Sequence, residues 1–157
     1  MQIKSWIMGL LMVMAGIVTS NAQSASDIDA IKAANQSFYT ALSALDAKAM
    51  NAVWANKPYV VNIGPFSKTV SVGYEDAVSN YWVKAFGSFA KASASSTSIA
   101  QVRTDGKIAY VTGTEHANID FKSGGATRIL DNFVTNIFEK DGDRWLMIVH
   151  HAQGIPK

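Results

Sequence analysis

The sequence predicts an α+β fold, with helices packed on one face of an antiparallel sheet. Helical periodicity dominates residues 27–86, and runs rich in valine, isoleucine, threonine and aromatics dominate residues 91–154. Three turn signals, Asp105-Gly106, Ser123-Gly124-Gly125 and Asp141-Gly142-Asp143, cut the second half into four strand-length runs. Helices followed by a meander of long strands mean α+β, not alternating parallel units. The 157 residues, 48% hydrophobic and 17% charged, suit one domain, and no internal repeat interrupts it.

The first 22 residues differ from the rest. Lys4 is their one charge, Trp6 to Val18 is continuously apolar, and Ser20-Asn21-Ala22 puts small residues at a cleavage site. That is the layout of a secretory signal peptide, with an apolar run too short to span a bilayer comfortably. The alternative is an uncleaved N-terminal anchor. The absence of cysteine excludes both disulfides and lipid attachment through a cysteine. Cleavage near Ala22 predicts a periplasmic or secreted domain over 23–157, with no stable membrane span. Losing Lys4 reduces the 14 basic residues to 13, against 12 acidic. A near-neutral chain with scattered charge has no basic stripe for nucleic acid and no acidic block for calcium. The expected partners are a small molecule and a second copy of the chain.

Within the domain, Asp27 to Trp54 reads as helix. Ile28, Ile31, Phe38, Leu42 and Leu45 recur at helical spacing, with Asp27 as N-cap. Asp46 caps a second short helix carrying Ala47, Met50, Val53 and Trp54, which Pro58 ends. Tyr59 to Ile63 is a short strand turned by Gly64-Pro65. Gly73 precedes an amphipathic helix, "YEDAVSNYWVKAF", with Val78, Trp82 and Phe86 on its apolar face. Low-complexity Lys91 to Ser98 resembles a linker in composition, yet the turn spacing after it makes it the start of a strand.

A hairpin centred on Gly142 sets Phe138 opposite Leu146, Asn136 opposite Ile148, Val134 opposite His150, and Asn132 near Ala152. Alternation places these on one face and Phe133, Thr135, Ile137, Trp145, Met147, Val149 and His151 on the other. The first face mixes apolar groups with Asn132, Asn136 and His150, and the second is almost wholly apolar. Neither suits a sheet with one solvated side. Buried amides and imidazoles need partners, so the mixed face is expected to line a pocket under the helices. The apolar face is expected to be a homodimer interface formed by Phe133, Ile137, Trp145, Met147, Val149 and His151. A one-residue bulge would exchange His150 and His151.

Together, "ALSALDAKAMNAVWAN", "VGYEDAVSNYW" and the closing "IFEKDGDRWLMIVHHAQ" resemble the nuclear transport factor 2-like superfamily, and within it the SnoaL-like, ketosteroid-isomerase-like bacterial branch. The resemblance covers roughly Asp27 to Gly154. It implies a cystatin-like cone, a curved sheet wrapped around helices with a pocket at the open end, and frequent dimers. The fold hosts isomerases, dehydratases, epoxide hydrolases and binding domains, so function rests on the site. Steroid isomerases of the family need a carboxylate base, a tyrosine and a neutral acid. The matching positions here hold Asn62, Phe38 and Val134, which supply none of the three. Tyr39 is one residue away but about 100° round the helix. The acid–arginine–acid pattern of the epoxide hydrolases fares no better, because alternation separates Arg128 from Asp131. A dehydratase-like site would use His150, with Tyr59, Tyr74 or Tyr81 near the mouth and no partner acid assignable.

The expected pocket residues are therefore Trp54, Tyr59, Asn62, Trp82, Thr112, Asn132, Asn136 and His150, with His150 the one acid–base candidate. Trp54, Tyr59 and Trp82 read first as plain core, and His150 first as an imidazole satisfied by Asn132 or Asn136. His116 shares a face with Thr112, Thr114 and Asn118, and that polar series extends the pocket wall or meets solvent. Adjacent histidines point to opposite faces, so no metal site is expected. No nucleotide or cofactor motif is present. The readings that follow are a binding domain for a small, largely apolar molecule, an enzyme using His150, or an interaction module without ligand.

Overall fold

The computed structural model describes residues 24–156. Residues 1–22, with the expected leader and its cleavage near Ala22, lie outside the described residues.

Helix α1 spans Ala25–Ala44 and buries Ile31, Asn35, Phe38, Tyr39, Ala41 and Leu42. Its N-cap is Ser24 rather than Asp27, which sits in the first turn and binds two strand residues instead. Leu45 closes the helix in the left-handed region at φ 52°. Asp46 then caps α2, Ala47–Val53, as expected, accepting from the Ala49 N–H at 2.9 Å. Strand β1 is only Val61–Ile63 and pairs with β2, Ser71–Val72. A π-helical turn over Glu75–Ser79 continues into α3, Asn80–Ser88, which buries Trp82 and Phe86.

Four long strands follow: β3 (Phe89–Thr104), β4 (Ile108–Phe121), β5 (Arg128–Asp141) and β6 (Arg144–Gly154). All three predicted turns join them. The six strands run in the order β2-β1-β6-β5-β4-β3, a curved, unclosed sheet. The meander is antiparallel throughout, whereas β1 lies parallel to β6. Ser43 of α1 ties the far edge to the helix layer: its hydroxyl donates to the Ala94 carbonyl and accepts from the Ala94 N–H.

Two corrections concern the sheet. The β5–β6 ladder carries a bulge between Ile137 and Phe138, so Asn136 opposes His150, Val134 opposes Ala152, and Phe138 opposes Met147. The irregularity leaves His150 with the inward asparagines but changes parity nearer the turn. Trp145 and Met147, expected on the outer interface, instead belong to the helix side. Met147 is fully buried and bridges to Trp54. Trp145 donates from Nε1 to Asp27 Oδ1 at 3.3 Å, beside the Lys140–Asp27 ion pair at 2.7 Å. Phe133, Ile137, Val149 and His151 remain on the outer face.

Candidate functional site

Strand pairing builds the site. Asn62 of β1 is the register partner of His150 on β6, and His150 that of Asn136 on β5. Side chains at paired positions share a face, so these three make a polar row across the inner sheet. Four residues along β5, Asn132 pairs with Glu115 of β4 on the same face. All five are buried: Asn62 and Asn136 at 0%, Asn132 at 1%, His150 at 3% and Glu115 at 8% exposure.

Helix α1 closes over this row. Asn35 Oδ1 accepts from Asn136 Nδ2 at 2.8 Å, and His150 Nδ1 meets Asn136 Oδ1 at 2.8 Å. With Asn136 Oδ1 as acceptor, Nδ1 carries the proton, and Nε2 holds the lone pair of a neutral imidazole. Nε2 makes no hydrogen bond among the described residues. Burial holds the His150 pKa below the ordinary histidine value; the negative charge of Glu115 opposes that shift and His151 adds to it. The Phe38 ring lies against the imidazole, centroids 4.7 Å apart, and touches Tyr39 and Trp82 edge-on at 5.3 and 5.5 Å.

Tyr39 connects the two polar groups. Its hydroxyl donates to Glu115 Oε2 at 3.1 Å, and Asn132 Nδ2 donates to Glu115 Oε1 at 3.0 Å. Burial pushes the Tyr39 phenol far up, the Glu115 charge adds to the shift, and a hydrogen bond from Asn136 partly offsets it. Asn62 Nδ2 donates to the Ala77 carbonyl at 2.9 Å, presented by the π-helical turn. Its Oδ1 is buried with no partner, as are Trp82 Nε1, Trp54 Nε1 and Asn51 Oδ1.

Of the expected pocket residues, the structure brings together Asn62, Trp82, Asn132, Asn136 and His150. Trp54 is also buried, but stands against Met147 at the other end of β6. Two expectations are corrected. Tyr59 is 51% exposed and donates to Glu139 Oε2 at 2.7 Å, because β1 begins two residues after it. Thr112 pairs with Thr135 and faces the outer side, where with Ser98, Thr114, Phe133, Thr135 and His151 it lines an open groove of about 410 Å³. His116 is likewise on the outer side, its Nδ1 2.8 Å from Asp131 and its Nε2 accepting from Asn118 Nδ2 at 3.1 Å.

Glu115, Asn35 and the bonding role of Tyr39 were missed. Glu115 was detectable by alternation, since it shares parity with Val111, Ala117 and Ile119, all buried, while His116 takes the other face. Helical spacing puts Asn35 and Tyr39 on the buried face with Ile31, Phe38 and Leu42, but their partners, 101 and 76 residues away, carried no local signal. Among the described residues no set of histidine and carboxylate groups is placed to hold a metal. No helix there is long and apolar enough to cross a membrane.

Comparison with known proteins gives the family. No curated protein matches the chain. A candidate dehydratase from the NTF2-like family of Streptomyces avermitilis superposes with a TM-score of 0.73 at 23% identity, covering 84% of this chain and 98% of that one. An NTF2-like superfamily protein from Salmonella enterica gives 0.76 at 15%, covering 85% and 95%. A ketosteroid isomerase-like protein from Erwinia carotovora gives 0.70 at 17%, covering 85% and 100%. At these identities the likeness shows the fold alone. The sequence profile of the SnoaL-like domain matches residues 31–156, so the chain belongs to the SnoaL-like family.

Proposed function

We propose that the inner face of the sheet, beneath α1 and α3, binds a small, largely apolar molecule through a few hydrogen bonds. The carrying observation is Asn62 Oδ1, fully buried and unpartnered, with Trp82 Nε1 in the same condition. Leaving such a group unpaired costs about 1–3 kcal/mol, so an occupant that pairs with it is favoured. The His150 Nε2 lone pair offers a third polar contact, and Phe38 and Trp82 supply apolar surface. Phe38, Asn62 and Val134 in place of a tyrosine, a base and an acid support a role other than steroid isomerisation.

Naphthylmethanol is a suitable probe, with an aromatic body and one hydroxyl able to donate to Asn62 Oδ1. Saturable quenching of tryptophan fluorescence is expected, weakened at least about fivefold by Asn62→Leu. Absence of saturation, or equal affinity in the variant, counts against the reading.

A second reading, an enzyme with His150 as base, is favoured by the Nδ1–H contact that leaves Nε2 unprotonated. It expects deuterium from heavy water to enter the methyl group of bound acetylnaphthalene, and not in His150→Gln. No incorporation by the wild type would remove it. Export completes the proposal and rests on residues 1–22 alone. Recovery of a chain starting at Gln23 supports it, and one retaining Met1 does not.

A further inference from the structure

The interior holds a carboxylate without a cation. Glu115 accepts from two neutral donors, Tyr39 Oη and Asn132 Nδ2, and belongs to neither ion pair found among the described residues, Lys140–Asp27 and His116–Asp131. The nearby imidazole offers no compensation, since burial disfavours its charged form. A buried charge is tolerated when paired, and removing its partner leaves a destabilising residue of charge. A carboxylate has about four acceptor positions, of which the structure fills two.

The other free groups on this face point the same way. Asn62 has spent its donor on Ala77 and keeps an acceptor; His150 has spent its donor on Asn136 and keeps an acceptor. Trp82, whose ring touches Phe38, keeps an unpartnered donor at Nε1. Phe38 touches Tyr39 and Trp82 edge-on, which gathers three aromatic rings on this side, and such rings attract cations. An interior rich in acceptors, aromatic and negatively charged complements a donor-rich, positively charged ligand.

We propose that the molecule bound on this face is an organic cation, an amine whose protonated nitrogen is held by Glu115 while its apolar part lies against Phe38 and Trp82. The proposal rests on the binding reading above and adds the charge of the ligand. Tyr39 and Asn132 then hold the carboxylate in place, each bonded to one oxygen, so that the amine meets a fixed acceptor.

The test compares naphthylmethylamine with the naphthylmethanol used above, two probes of nearly one shape. Wild-type protein is expected to prefer the amine by at least about tenfold, as befits a desolvated charge-assisted contact. The ratio should persist on raising salt, because a buried pair is screened little. In Glu115→Gln it should fall below about threefold. A wild-type ratio under that value, or a preference that survives Glu115→Gln, overturns the proposal. If Glu115→Gln does not fold, the wild-type Asn132 side-chain amide signals decide: they shift with the amine and not the alcohol, or the proposal fails. Binding of the alcohol without amine preference rejects the cation and leaves the binding reading standing. Binding of neither probe rejects both.

Discussion

His150 and Glu115 lie on one face, yet burial acts on them in ways the sequence showed unequally. The paired histidines in "VHHAQ" drew notice to His150, and alternation placed it inward. Glu115 hid beside His116, the more conspicuous residue, although alternation gave it to the apolar side. Its partner Tyr39 comes from α1, 76 residues earlier, a distance that no local pattern bridges. The buried imidazole carries a pH consequence. The folded state disfavours the charged ring, while the unfolded chain takes up a proton near its ordinary pKa of about 6.5. Below that value the unfolded state binds more protons, so stability is complete above it and falls with decreasing pH, by at most about 1.4 kcal/mol per unit. Urea unfolding between about pH 7 and 5 should show this slope in the wild type and a shallower one in His150→Gln, which keeps a donor for Asn136. Equal slopes would remove His150 as the cause.

Among elements, the punctuated ones were legible and the irregular ones were not. Glycine-bearing turns mark the three junctions between the four long strands, and Asp46 marked α2. Strand β1 is three residues long and is fixed by parallel pairing to β6, almost ninety residues later, which local sequence does not record. The β5–β6 bulge falls at Ile137 and Phe138, where neither glycine nor proline announces it. That is why Trp145 and Met147 were assigned to the wrong face. Strand β3 behaves differently: two of its register shifts, between Ser96 and Ser98 and between Ile99 and Gln101, flank the pairing of Ile99 with Gly113. There the β3 backbone comes so close that a Cβ on Gly113 would stand 2.0 Å from the Ser98 carbonyl oxygen. Backbone cannot yield as a flexible side chain can, so Gly113→Ala should destabilise by about 2 kcal/mol in urea unfolding, within the usual cost of overpacking. A change below about 0.5 kcal/mol would mean that β3 moves away freely.

For the whole molecule, the two faces of the sheet make separate demands. The inner face lies beneath α1 and α3, and Trp145 is tied to α1 through Asp27. The outer face keeps Phe133 at 53% exposure, alongside Ile137, Val149 and His151, above the open groove. Phe133 is the exposed apolar side chain of this set and Ile137 and Val149 are half-buried, and we propose that this face meets a second copy of the chain. The proposed homodimer therefore retains four of the six residues first expected, and Trp145 and Met147 take no part. Two substitutions separate these roles. Phe133→Glu places a charge in the proposed interface, so sedimentation should change from dimer to monomer while far-ultraviolet dichroism is unaltered. Trp145→Phe leaves the association state unchanged and lowers stability by about 1 kcal/mol, the worth of the lost Nε1 hydrogen bond to Asp27. A wild-type chain that sediments as a monomer at micromolar concentration would exclude the interface. A dimer dissociated by Trp145→Phe would return that residue to the outer face and contradict the bulged register, because one parity of β6 near the turn cannot serve both sides of the sheet.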